Sequence, residues 1–102
     1  MFGDMEEKQK EMQEKLSTIF LEGVAEGGAV KVTVTAAREI TNISIDKDKV
    51  DTSDLEQLED LIMVATNRAL SAAADKEAEE AQNLLKNMLP PGMGGLGNLF
   101  GG

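Results

Sequence analysis

Four aspartates, Asp46, Asp48, Asp51 and Asp54, are clustered closely enough to suggest an oxygen-ligand site for a hard cation. A calcium loop counted from Asp46 needs a ligand at its fifth position, glycine at its sixth and glutamate at its twelfth. Those positions hold Val50, Asp51 and Gln57. The cluster is therefore read as a solvated acidic linker leading into a helix N-terminus, where negative charge suits the helix dipole. Gly92, Gly94 and Gly97 satisfy G-x-G-x-x-G. That fingerprint binds a dinucleotide only between a strand and a helix, and here it follows a helical pattern broken at Pro90-Pro91. Catalysis lacks its usual parts. The chain has no histidine and no cysteine, and no serine or threonine sits in a nucleophile-elbow motif. The paired carboxylates Glu59/Asp60 and Glu79/Glu80 fall on helix faces expected to be exposed, where their pKa values suit acid–base work poorly. No enzyme, metal or cofactor is expected.

The cations remain. Lys8, Lys10, Lys15, Lys31, Arg38, Lys47, Lys49, Arg68, Lys76 and Lys86 form no basic block, and the net charge is −9. As isolated surface ion pairs they would contribute about 0.2–1 kcal/mol each. Lys8, Lys10, Lys15, Lys76 and Lys86 become a local positive patch only if the fold brings two distant segments together.

Leu55–Ala73 is the element around which the others are organised. On a wheel of 3.6 residues per turn, Leu55, Leu58, Leu61, Ile62, Ala65, Ala69, Ala72 and Ala73 share an arc of ~120°. Met63 and Leu70 lie on its flank. Ser53 and Glu56 fit a capping box at its start, and no breaker appears before Pro90. The helix therefore runs from about Ser53 to about Met88, roughly 50 Å, whereas a compact globule of this size is roughly 34 Å across. Its far half must break or project.

A second helix is expected over residues 4–17. Phe2, Met5, Gln9, Met12, Leu16 and Ile19 are spaced as a coiled-coil seam. Leu70, Ala74, Ala78, Ala81, Leu85 and Met88 offer it a matching stripe, within one chain or between two. The middle of the chain reads as β. Thr18–Ala25 is rich in branched residues, Ala29–Thr35 and Arg38–Asp46 alternate apolar and polar residues, and Glu26-Gly27-Gly28 reads as a hairpin turn. The Ala36-Ala37 connection should be longer than two residues, and Ile40, out of phase with Ile43 and Ile45, marks a bulge or a late strand start. The resulting fold class is α+β: a helix, a three-stranded antiparallel meander and a long helix covering its apolar face. The first strand is apolar on both sides, with Phe20 and Val24 opposing Ile19 and Leu21. With only three aromatic residues in 102, the core is thin for a small domain. Both features favour a homodimer, with Phe20, Val24, Met63 and Leu70 as candidate interface residues. The domain is placed at residues 1–89, and the glycine-rich stretch 90–102 is expected to be a flexible tail.

An acidic surface opposes unguided binding to nucleic acid or anionic lipid. No apolar run approaches the ~20 residues of a membrane span, and the polar N-terminus is unlike a secretory signal. The absence of cysteine suits a cytoplasmic protein.

One resemblance spans essentially the whole chain. A Met- and Glu-rich helix is followed by Gly27-Gly28-Ala29-Val30-Lys31-Val32-Thr33-Val34, then Ile43-Ser44-Ile45-Asp46, Leu58-Glu59-Asp60-Leu61-Ile62, Ala65-Thr66-Asn67-Arg68-Ala69 and Leu89-Pro90-Pro91-Gly92. In this order and spacing the chain resembles the YbaB/EbfC family of bacterial nucleoid-associated proteins. The resemblance implies a homodimer whose helical arms project like tweezers and grip double-stranded DNA with little sequence preference. It carries phosphate contact only to the lysines of matching segments, Lys8, Lys10, Lys15, Lys76 and Lys86. Glu6, Glu7, Glu11, Glu14, Glu77, Glu79 and Glu80 occupy the same segments and counter the gain from counterion release. The alternative partner is a basic protein, docked on acidic arms.

Overall fold

The computed structural model describes residues 2–88. Its elements are α1 (Phe2–Leu16), β1 (Phe20–Ala25), a 3₁₀ turn (Glu26–Gly28), β2 (Val30–Thr35), β3 (Ile40–Ile45) and α2 (Leu55–Met88). The expected tail lies outside the described residues. The order β1-β2-β3 is an antiparallel meander, so the chain is α+β as expected.

Local chemistry sets each boundary. Thr18 and Ile19 were expected in the first strand but close α1 instead. The Thr18 and Ile19 N–H groups donate to the Lys15 and Leu16 carbonyls at 3.1 and 3.2 Å, and the Thr18 hydroxyl donates to the Lys15 carbonyl at 2.7 Å. Polar side chains at a helix end satisfy carbonyls that have no intrahelical partner. The first hairpin turns through Glu26, Gly27 and Gly28 at φ of +50°, +63° and +103°, a left-handed path for which the two glycines are suited. The second connection uses residues 36–39. Its hub is the buried Thr35, whose hydroxyl oxygen accepts from the N–H groups of Ala37 (3.2 Å) and Glu39 (3.4 Å). Thr33 pairs with Asn42 and Val34 with Ile40, leaving Thr41 as the extra residue of a bulge. That bulge returns Ile40 to the face shared by Ile43 and Ile45.

The start of α2 departs from the expected capping box. Asp54 is the cap: its Oδ1 accepts from the Gln57 N–H at 3.1 Å, and its carbonyl accepts from Leu58 N–H. Ser53 is turned back, donating its hydroxyl and N–H to Asp51 Oδ1. Asp and Ser cap about equally well, and the Asx turn at Asp51 claims the serine.

The core lies between α2 and the first two strands. Ala25, Val30, Val32, Val34, Ala65, Ala69 and Ala73 are buried together, with Leu58, Leu61 and Ile62 packed around them. Gly23 lets the layers meet. A Cβ on Gly23 would overlap the backbone oxygen of Ala65 and the backbone nitrogen of Ala69. The small residues of α2 bring the helix down onto β1, and β1 leaves a gap for it. This close approach leaves β3 uncovered. The whole apolar sheet face was expected under Leu55–Ala73, but α2 packs mainly on β1 and β2. Ile40, Ile43 and Ile45 stay 47, 46 and 42% exposed.

Beyond Ala73 the long helix leaves the sheet unbroken. The Cα radius of gyration is 18.7 Å and the longest extent 61 Å, against about 13 Å for the radius of a compact chain of this length. α1 runs antiparallel beside this far half: Lys15 meets Glu80, while Lys8 shares a cavity with Asn87. The expected α2 stripe is shifted. Ala81 and Leu85 of that stripe face α1, joined by Glu77 and Leu84, whereas Ala74 and Ala78 are exposed.

Candidate nucleic-acid interface

The two helices form an arm, and its cations divide into two sets. Lys15 and Lys76 converge on one carboxylate. Lys15 Nζ lies 2.6 Å from Glu80 Oε2 and Lys76 Nζ 3.6 Å from Glu80 Oε1, with Glu79 Oε1 at 3.5 Å. The Glu80 side chain is only 9% exposed. The hydrogen bond from Lys15 holds its pKa below the ordinary value, aided by the charges of Lys15 and Lys76 and opposed by burial. Lys8, Lys10 and Lys86 are exposed and make no ion pair among the described residues. Of the five arm lysines, then, three are available to an outside anion, Lys15 joins α1 to α2, and Lys76 pairs within α2.

Sequence reasoning missed two further ties. Arg38, at φ +67° in the β2–β3 connection, places Nη2 3.1 Å from Glu77 Oε2. This tie anchors the sheet to the base of the arm. Arg68 Nη1 donates to the Val24 carbonyl at 2.7 Å, occupying an acceptor of strand β1, one of the edges of the sheet. Lys76 with Glu79 and Glu80 carried a signal, the i, i+3 and i, i+4 spacings; the other ties join segments that no helical period relates.

The candidate interface residues do not form one patch. The register turns Phe20 and Val24 away from the face that α2 covers, while Met63 and Leu70 belong to α2. Phe20 is 61% and Met63 56% exposed, Val24 is half-buried, and Leu70 packs against the core. The Ile40–Ile43–Ile45 row, which the sequence assigned to the core, is a more continuous apolar surface.

The aspartate cluster is spent on backbone. Asp46 Oδ1 accepts from Asp48 N–H, Asp51 Oδ1 from Ser53, and Asp54 Oδ1 from Gln57. The Ser53 hydroxyl and N–H hold the Asp51 pKa below its ordinary value. Among the described residues no group of three or more carboxylates is placed to hold a metal ion, and no helix is long and apolar enough to cross a membrane.

Comparison with known proteins agrees with this architecture. A nucleoid-associated protein of Lachnoclostridium phytofermentans is 45% identical over 93 residues, covering 91% of this chain and 73% of the relative. One from Dictyoglomus turgidum is 38% identical over 90 residues, covering 87% and 86%. The crystal structure of an uncharacterized protein from Helicobacter pylori superposes with a TM-score of 0.70 at 23% identity, covering 82% of this chain and 88% of that one, which speaks for the fold. The model of the YbaB/EbfC DNA-binding family matches residues 1–88, and this helix–meander–long-helix chain with its projecting arm belongs to that family.

Proposed function

We propose that this chain is a non-enzymatic, nucleoid-associated protein of the bacterial cytoplasm. As a homodimer it would hold double-stranded DNA between its arms with little sequence preference. The observation that carries this is the division of the arm cations. Lys8, Lys10 and Lys86 stand exposed on a projecting helical pair, outside the ion pairs that fix its geometry. Flexible lysines that meet phosphates bind without reading base edges. The exposed Ile40, Ile43 and Ile45 support a dimer, because contiguous apolar patches mark interaction surfaces. The relatives' name and the family's DNA-binding character point the same way.

Fluorescence anisotropy of a labelled duplex, titrated at rising salt, tests the proposal. The logarithm of affinity falls with the logarithm of salt by about 0.9 per neutralised phosphate. Lys8→Glu with Lys10→Glu should weaken binding and flatten that slope while the dimer persists. Equal affinity in that variant would remove these lysines from the contact. No binding of the parent protein at low salt would leave a basic protein as the partner of the acidic arms.

A further inference from the structure

We infer that the groove between α1 and α2 is the seat of this chain's own residues 89–102, held by the protomer that carries them. The groove has a volume of about 930 Å³, with Met12, Leu16, Ala81 and Leu84 among the apolar residues that line it. Met5 and Leu85 also line it and stand 63 and 64% exposed. Its edges carry both signs of charge, Lys8 and Lys10 with Glu6 and Glu77. An occupant must therefore be apolar and need not be charged.

The segment that follows α2 has that chemistry. Residues 89–102 read LPPGMGGLGNLFGG and contain no Asp, Glu, Lys or Arg, in a chain that is 28% charged. Met93, Leu96, Leu99 and Phe100 match the apolar lining, and the glycines between them let backbone lie close to a helix surface. Position favours it as well. Leu85 is in the last turn of α2, so the segment begins where the groove does. Pro90 and Pro91 are poor residues for a helix interior. Extended, Gly92–Gly102 spans at most roughly 36 Å, more than the ~22 Å length of α1. A segment tethered this closely acts at an effective concentration in the millimolar range, so weak contacts suffice. A second copy's arm is a poorer occupant, because its Glu6, Glu7, Glu11 and Glu14 would approach Glu77 with like charge.

This inference does not depend on DNA binding, and its test needs none. The chain of residues 1–102 carrying ¹³C-methyl methionine is compared with Leu96→Asp/Leu99→Asp/Phe100→Asp, whose changes lie outside the described residues. Met5 and Met12 report the groove, and Met63, on the sheet-covering half of α2, is the control. The Met5 and Met12 resonances should move and Met63 should stay. Unchanged Met5 and Met12 resonances would overturn the assignment. Adding excess unlabelled parent protein to the labelled variant should leave the moved resonances in place. Their return to the parent positions would assign the occupant to a second copy and overturn the intrachain seat.

Discussion

Lys15 of α1 and Glu80 of α2 form the cross-link that sets the arm, Nζ to Oε2 at 2.6 Å on a carboxylate nearly closed to solvent. Removing Lys15 leaves the Glu80 carboxylate without its partner at 9% exposure, whereas the Lys15 ammonium is 61% exposed and stays hydrated. The pair therefore fixes how far the two helices stand apart, although neither residue touches the apolar core of the sheet.

Acid should loosen the arm before the body. The Glu80 pKa is lower in the folded chain than its ordinary value of 4.5. A carboxylate shifted down contributes stability that is present above its unfolded pKa and lost as pH falls through the folded value. Protection factors for amide exchange in α1, which normalise for the pH dependence of the chemical exchange rate, should be high at neutral pH and fall as pH drops below about 4.5, ahead of those in β2. Glu80→Gln should make α1 protection low already at neutral pH and remove the acid dependence. High, pH-independent α1 protection in the parent protein would deny the cross-link this role.

Gly23→Ala should destabilise the body. The added methyl meets backbone atoms of Ala65 and Ala69, which cannot rotate away, so α2 must lift. Overpacking costs about 1–3 kcal/mol, and a loss at the upper end is expected in urea denaturation. Gly27→Ala, whose Cβ meets nothing within 4 Å, is limited to the strain of its φ of +63° and should cost less.

The two candidate caps should separate cleanly. Asp54→Ala removes the acceptor for Gln57 N–H and should cost about 1 kcal/mol. Ser53→Ala leaves that cap in place and should cost less. Thermal melts of the two variants would measure the difference, and the reverse order would restore Ser53 as the cap.

Ile43→Asp should give a folded monomer. Ile43 is 46% exposed at the centre of the β3 row, so a charge there leaves the chain's own core intact and disfavours an apolar contact with a second copy. Sedimentation equilibrium would read the mass and circular dichroism the fold. A dimer unaffected by this change would move the interface elsewhere.

Much of the fold was legible because periodicity reports it directly. The alternation Val30–Val32–Val34 and the alanine stripe of α2 located the layers, and the helix length required either a break or a projection. The phase error at Ile40 located the bulge. Three things were not legible. Side chains at Ser53 and Asp54 compete for the same backbone groups, and their close energies leave the winner to local geometry. Gly23 looks like any strand glycine until the helix above it is in place. Coverage depends on how many strands one narrow helix can span, so the β3 isoleucines read as core while standing exposed. For the candidate site, the arm lysines could be gathered only by pairing two helices. Which of them Glu80 would claim rests on a contact between the first helix and the last.

The unbroken course of α2 makes it a lever. Its fulcrum is the contact at Ala65 and Ala69 over Gly23, and its far end at Met88 lies roughly 28 Å beyond Ala69. A tilt of about 5° at the fulcrum displaces the tip by roughly 2.5 Å, enough to break a hydrogen bond there. The direction in which α2 leaves the sheet is thus set by packing at a glycine that no ligand of the arm would reach.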